Sequence, residues 1–157
     1  MDPLLARLPS AFWSVPHVAA RFPGSRDVRE RPGLAAGANC QVFAYAVLRH
    51  FGLAAPALRS SDLWTDTRST VRVGADAARP LDLMLFNAGD DAYGAHVGVR
   101  AGEGRVLHLC AEVGLPALWE DARFAERERY RVLVGVKRVT ARHGSAGKSD
   151  RAAGEAY

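Results

Sequence analysis

The sequence predicts an α+β protein in which N-terminal helices pack on a small antiparallel sheet. In the first half of the chain, apolar residues recur at helical spacing, most clearly over residues 39–51. From residue 81 onwards, short valine- and leucine-rich runs alternate with polar turns, which is typical of strands. Helices followed by hairpin-connected strands favour α+β architecture over an alternating α/β order.

Each element has its own local signal. The helices are predicted at residues 4–8, 15–22, 39–51 and 61–68, the last with Ser61 as its N-cap. The strands are predicted at residues 69–73, 81–86, 95–101, 105–110 and 130–139, and residues 117–128 fit a short helix or an irregular loop. Gly102-Glu103-Gly104 signals a hairpin turn. Residues 1–140 are therefore predicted to form one domain, and the small, polar residues 141–157 a disordered tail.

The bulk composition excludes several function classes. The 157 residues are 48% hydrophobic and 24% charged, as in ordinary globular proteins. The net charge is +4, but no basic stripe with interleaved aromatic residues indicates a nucleic-acid partner. No apolar run approaches the roughly 20 residues that cross a bilayer, and the N-terminus does not resemble a signal peptide. We expect a cytoplasmic protein that binds neither nucleic acid nor membrane; its oligomeric state stays open.

The two cysteines, Cys40 and Cys110, lack the C-x-x-C spacing of a zinc site. No metal or other cofactor is predicted. Two cysteines are also compatible with one disulfide, so their number alone does not decide the redox compartment. Cys110 is expected to be a buried thiol.

Cys40 lies where a reactive cysteine is expected. Gly37-Ala38-Asn39 forms a loop that enters the helix at residues 39–51, and Gly52 is a suitable stop. The first turn of a helix presents unpaired N–H groups and the positive end of the helix dipole. Such a position lowers the pKa of a thiol and favours the nucleophilic thiolate.

Two histidines, His96 and His108, lie on neighbouring predicted strands on either side of the 102–104 turn. Pairing of these strands brings the two residues near each other, and both are expected to face the helix that carries Cys40. A nucleophile, a base and an orienting group are the minimal machinery for acyl transfer through a thioester. The other histidines, His17 and His50, are expected to fill core or surface positions.

The order of these motifs resembles that of the NlpC/P60 papain-like cysteine peptidases, over about residues 37–110. The resemblance implies a papain-like fold in which Cys40 is the nucleophile, His96 the general base and His108 the residue that orients His96. It also implies hydrolysis of an amide or peptide bond, with a peptide or an amide-containing small molecule as substrate. The matching segments are the start of the Cys40 helix, Leu58-Arg59-Ser60-Ser61, Leu81-Asp82-Leu83-Met84-Leu85-Phe86, Ala95-His96-Val97-Gly98-Val99, and Gly102-x-Gly104 before Val106-Leu107-His108.

The residues beside Cys40 depart from the family pattern. Members usually have Asp-Cys-Ser-Gly, and this chain has Asn39-Cys40-Gln41-Val42. The family's flanking residues help to bind cell-wall peptide, so the departure weakens that substrate. We expect substrate contacts from Asn39 and Gln41, and also from Ser60 and Trp64. Residues 24–36 hold no tyrosine, which the family commonly uses for the oxyanion, so the backbone N–H of Cys40 is expected to be one donor.

Two alternatives remain open. The Cys40 helix and the Leu48-Arg49-His50-Phe51-Gly52-Leu53 segment also resemble transglutaminase-like proteins, which implies acyl transfer to an amine or alcohol. The departures beside Cys40 and the missing tyrosine favour instead a non-catalytic member of the fold that binds a ligand or partner.

Overall fold

The computed structural model describes residues 2–142. Its helices are α1 (Pro3–Ala6), α2 (Arg26–Glu30), α3 (Cys40–His50), α4 (Ser60–Thr65) and α5 (Asp121–Ala125). Its strands are β1 (Thr70–Val73), β2 (Leu83–Asn87), β3 (His96–Arg100), β4 (Arg105–Leu109), β5 (Pro116–Glu120) and β6 (Val132–Val139). Single turns of 3-10 helix lie at Ser10–Ser14, Leu34–Ala36, Ala75–Ala77 and Glu128–Tyr130. No helix among these residues is long and apolar enough to cross a membrane.

The six strands form one antiparallel sheet in the order β1-β6-β2-β3-β4-β5. The predicted α+β class with an antiparallel sheet is therefore confirmed. The central hairpin joins β3 to β4 through the predicted 102–104 turn, where Glu103 and Gly104 have φ angles of 60° and 70°. This left-handed pair matches the right-handed twist of the flanking strands.

The two faces of the sheet carry different side chains. The face that packs against α3, here called the aliphatic face, is formed by side chains such as Leu85, Val97, Val99 and Leu107. The opposite face, here called the aromatic face, carries Trp119, Phe124 and Tyr130 together with Met84, Phe86, Val106, Cys110 and Val136. Because side chains alternate along a strand, β3 and β4 send consecutive residues to opposite faces.

Helix α3 begins and ends as its sequence predicts. The Asn39 Oδ1 accepts hydrogen bonds from the backbone N–H groups of Gln41 at 3.0 Å and Val42 at 2.9 Å. This N-cap satisfies two donors that the first turn leaves without intrahelical partners. At the other end, Gly52 adopts a φ of 88°, a conformation that glycine reaches without strain.

Buried Arg21 holds the loop that leads into α3. Its guanidinium donates to the carbonyl oxygens of Gly37 at 2.6 Å, Arg31 at 2.7 Å and Gly33 at 3.1 Å, and it pairs with Asp27 at 2.8 Å. Because these carbonyls belong to a loop without regular structure, the arginine satisfies groups that otherwise lack partners. The start of α3 is thereby fixed by a residue far from it in sequence.

Several predicted elements are wrong in detail. Residues 15–22 are not helical, because His17 pairs with Ala38 in an extended bridge. Ser61 is not an N-cap: α4 begins at Ser60, and its cap residue Arg59 makes no side-chain capping bond. Residues 117–128 hold most of the edge strand β5 as well as α5, and α2 lies in a stretch where the sequence predicts no helix.

The predicted C-terminal tail falls partly within the described residues. The backbone N–H of Ala54 donates to the carbonyl of Ala141 at 2.8 Å, and Arg142 forms a bridge with Leu53. Ala141 and Arg142 are therefore part of the fold, against the prediction for these two residues. Residues 143–157 lie outside the described residues.

Candidate active site

Cys40 is the first residue of α3, and its half-buried thiol is not in a disulfide. The segment just before Cys40 is hydrogen-bonded to an N-terminal segment. The backbone N–H of Ala38 donates to the Pro16 carbonyl at 3.0 Å, and the N–H of Val18 donates to the Ala38 carbonyl at 2.9 Å. These bonds place His17 beside the start of α3.

The thiol of Cys40 is less acidic than its place in the helix predicts. Burial raises its pKa to about 11, although the backbone N–H groups of Val97, Gln41 and Cys40 itself lower it in part. Desolvation therefore outweighs the helix N-terminus, and the expected low pKa is not found. The involvement of Val97 also locates the sulfur beside β3, one residue from His96.

His96 and His108 form a buried pair on β3 and β4. The His96 Nε2 lies 2.8 Å from the His108 Nδ1, which is hydrogen-bond distance. Burial lowers the pKa of His96 well below its usual value, and the neighbouring His108, His17 and Arg129 lower it further. Because Nε2 of His96 is occupied by this bond, Nδ1 is the nitrogen that remains for another partner.

The histidine pair belongs to the aromatic face of the sheet. His96 stacks on the Tyr130 ring at 4.6 Å between ring centres, and His108 contacts the rings of Trp119 at 4.3 Å and Phe124 at 4.7 Å. The expectation that both histidines face α3 is therefore wrong, because strand alternation assigns that side to Val97 and Leu107. Cys40 and His96 are instead the first residues of α3 and β3, and both line one cavity.

The rings around His108 keep it uncharged. Burial lowers its pKa to about 3, to which Arg123 and Arg127 contribute, while Glu112 acts in the opposite direction. Within residues 2–142, no hydrogen-bond partner lies near its buried Nε2. Two neutral imidazoles joined by one hydrogen bond therefore occupy this part of the sheet.

Cys40 and His96 line the same cavity, which has a volume of about 400 Å³. Asn39 also lines it, but its side-chain oxygen is engaged in capping α3. His108 is fully buried behind His96 and does not reach the cavity. The remaining lining residues are His17, Ala19, Asn87, Gly94, Ala95, Cys110, Ala111, Arg129 and Tyr130.

None of these nine residues is among the predicted site residues, and His17, Arg129 and Tyr130 are the ones that bring an ionisable side chain close to His96. His17 arrives through its extended pairing with Ala38, and the other two arrive on the turn at Glu128–Tyr130, which precedes β6. Because β6 pairs with β2 next to β3, the start of β6 returns to the histidine pair. These residues could be predicted at the site only from the pairing of β6 with β2, and local sequence patterns do not specify that pairing.

The other predicted substrate contacts lie elsewhere. Gln41 and Ser60 are buried and do not line the cavity that contains Cys40. Trp64 lines a separate cavity of about 490 Å³ with Thr70, Arg72 and Lys137. There its ring packs on Gly135, where a side chain would clash with it. Substrate contact by these residues would therefore require a different cavity or a rearrangement.

The described residues contain no group of three or more His, Cys, Asp or Glu side chains arranged to hold a metal ion. The chemistry that this arrangement permits is proton transfer between a thiol and a neutral imidazole. Both groups face a cavity large enough for a small substrate segment.

Comparison with known proteins gives a likeness in fold. No family model and no curated protein matches the sequence. A solved structure, an NlpC/P60 family protein from Bacillus cereus ATCC 10987, is similar with a TM-score of 0.50 and 17% sequence identity. The match covers 67% of this chain and 32% of that chain, so this chain spans about a third of its length. The chain is thus similar in fold to an NlpC/P60 family protein.

Proposed function

We propose that this protein is a papain-like cysteine hydrolase of the NlpC/P60 type, which cleaves an amide or peptide bond through a thioester on Cys40. The observation that carries the proposal is the shared cavity: the thiol at the start of α3 and the imidazole of His96 line it together, and His108 holds the other side of that imidazole at 2.8 Å. A nucleophile, a base and an orienting group in this order are the elements of acyl transfer.

In the first step, the Cys40 sulfur attacks the substrate carbonyl carbon while the thiol proton passes to Nδ1 of His96. The same proton then protonates the departing amine, and a thioester forms. In the second step, His96 accepts a proton from water as the water attacks the thioester, which releases the acid and restores the thiol. The backbone N–H of Cys40 is a candidate donor to the oxyanion.

The pKa values of both groups indicate a neutral resting pair. The pKa of Cys40 is raised to about 11 and the pKa of His96 is lowered, so neither is ionised near neutral pH. The proton must therefore move during the attack rather than before it. In this respect the site differs from one with a preformed thiolate–imidazolium pair.

His108 supports this transfer by fixing the hydrogen on His96. For Nδ1 of His96 to accept a proton, its Nε2 must carry a hydrogen and donate it to Nδ1 of His108. His108 then carries its own hydrogen on Nε2, within a ring that packs against Trp119 and Phe124.

The raised pKa of Cys40 favours a second candidate, a non-catalytic member of the fold that binds a ligand in the same cavity. A thiol that stays protonated and unassisted is a weak nucleophile. The two candidates differ in whether Cys40 forms a thioester at all.

The test is acylation by p-nitrophenyl acetate, followed by release of p-nitrophenolate and by mass spectrometry of the intact protein. We expect an acetyl group on Cys40 that water removes, so that turnover continues after a first burst. The Cys40→Ala variant is expected to lose both the burst and the turnover. Cys110→Ala is the matched control, because it removes the other thiol that lines the cavity and leaves Cys40 in place.

Equal acylation of the wild type and Cys40→Ala would contradict the proposal and leave the binding candidate. Adding an excess of a primary amine separates hydrolysis from transfer to an amine. Formation of the acetylated amine at the expense of acetate would identify an acyltransferase.

A further inference from the structure

The charge of the cavity around Cys40 points to the class of substrate that it accepts. No aspartate or glutamate is among its lining residues, and Arg129 is the lining residue with a permanent charge. The start of α3 adds the partial positive charge of a helix N-terminus to the same cavity. An ammonium group would find no carboxylate partner among these residues, whereas an anion would find a cation.

Arg129 interacts with the Tyr130 side chain, whose pKa it lowers in part, but unlike its neighbours it has neither a carboxylate nor a backbone carbonyl as a partner among the described residues. Arg127 pairs with Glu112 at 2.8 Å, and Arg131 donates to the carbonyl of Ala88 at 2.9 Å. Within residues 2–142, no carboxylate forms an ion pair with Arg129. Its guanidinium carbon lies 5.8 Å from the centre of the Tyr130 ring, which itself stacks on His96.

The positive charge of Arg129 opposes the proton transfer from Cys40 to His96 that the proposed mechanism requires. A positive charge beside His96 disfavours the imidazolium that forms when His96 takes the thiol proton. A substrate anion bound to the guanidinium would cancel that charge and make proton transfer easier. A negatively charged substrate therefore removes the unfavourable effect of the Arg129 charge on protonation of His96.

We propose, on the basis of the proposed function, that the substrate is an amide that carries a carboxylate near the scissile bond, and that Arg129 binds this carboxylate at the cavity. The guanidinium suits this role because it presents paired N–H donors that match the two oxygens of a carboxylate. Arg129 is thus a residue that determines specificity, on the turn that also carries Tyr130.

The test uses alkylating probes that differ in the charge of one group. N-(iodoacetyl)glycine and N-(iodoacetyl)glycinamide have the same reactive carbon, and the first carries a carboxylate where the second carries an amide. A second pair, built on β-alanine, extends the carboxylate by one methylene. The measured quantity is the ratio of the alkylation rate constants at Cys40, anionic probe over neutral probe, with modification located by mass spectrometry.

We expect the wild-type ratio to exceed that of N-acetylcysteine for at least one pair. Arg129→Gln is expected to lower this ratio about tenfold, and Arg129→Lys to lower it less, because one charge-assisted contact is lost or weakened. Each ratio is taken within one variant, so a change in the intrinsic reactivity of Cys40 affects both probes and cancels. Arg26→Gln is the matched control, because it removes the same charge from an exposed side chain that does not line the cavity.

An unchanged ratio in Arg129→Gln for both pairs would overturn the inference, as would an equal fall in Arg26→Gln. Failure of the proposed function has a different signature, namely no acetyl-thioester on Cys40 in wild-type protein. If the ratio falls in Arg129→Gln while no thioester forms, the anion site stands and the hydrolase does not.

Discussion

The two faces of the sheet differ in the kind of side chain that they bury. The aliphatic face buries branched side chains such as Leu85 and Val99 beneath α3. The aromatic face buries two imidazoles among Trp119, Phe124 and Tyr130, and one of their nitrogens has no hydrogen-bond partner in the described part of the chain. Burial of apolar area stabilises the first face, whereas buried polar groups reduce the stability gained on the second.

Helix α3 connects these two regions. Its body supplies Phe43, Val47 and Leu48 to the aliphatic face, and its first residue is Cys40, at the cavity next to His96. The comparison therefore separates residues that hold the helix in place from residues that act at its end. Substitutions on one face should affect stability, and those on the other should affect reactivity.

The largest expected effect comes from His96→Gln. Glutamine retains a polar group toward His108 but cannot accept the Cys40 proton, so we expect acylation by p-nitrophenyl acetate to slow about 10²–10⁴-fold near neutral pH. The free energy of unfolding, from urea denaturation, should change little. The difference in acylation rate between the variant and the wild type should become smaller as pH rises toward 11. The pKa of the Cys40 thiol is about 11, so near that pH the thiol ionises without a base.

His50→Gln is the control for this variant, because His50 is exposed at the end of α3 and does not line the cavity. A deficit in His96→Gln that stayed constant up to the pKa of the thiol would show that His96 does not act as the base.

The next largest effect is on stability, in Leu48→Ala. Leu48 is fully buried between α3 and the sheet, so truncation leaves a cavity and should cost about 2–5 kcal/mol of unfolding free energy. Acylation of Cys40, measured per folded molecule at low temperature, should be retained. Leu115→Ala is the matched control: this leucine is 48% exposed, and we expect a change within about 0.5 kcal/mol. Loss of acylation in fully folded Leu48→Ala would show that the aliphatic face determines reactivity as well as stability.

The sequence predicts the aliphatic face better than the site. The spacing of apolar residues in α3 and the alternation in β3 and β4 are local patterns, and each is dictated by burial on one side. The N-cap role of Asn39 and the stop at Gly52 are equally local. The pairing of His96 with His108 follows from the turn between their strands.

The rest of the site depends on forces that a local pattern does not contain. The helix position of Cys40 predicts a low thiol pKa, but burial by other segments decides the outcome. Tyr130 and Arg129 reach the cavity because β6 pairs with β2, and His17 reaches it because Arg21 and Ala38 order the loop before α3. These are long-range contacts, and the residues that make them carry no motif.

The smallest expected effect tests whether the histidine pair weakens the aromatic face. The hydrogen bond between the two rings is buried, so His108→Leu leaves His96 Nε2 without a partner and should cost about 1–3 kcal/mol of unfolding free energy. The double variant His96→Leu with His108→Leu removes both polar rings, and with them the unpaired His108 Nε2. Replacing both partners by apolar groups is close to neutral or stabilising, so the double variant should be at least as stable as the wild type. Urea denaturation of the wild type, His96→Leu, His108→Leu and the double variant gives the coupling energy between the two positions. A double variant less stable than His108→Leu would show that the imidazoles stabilise this face, and the contrast between the two faces would then lie in their reactivity alone.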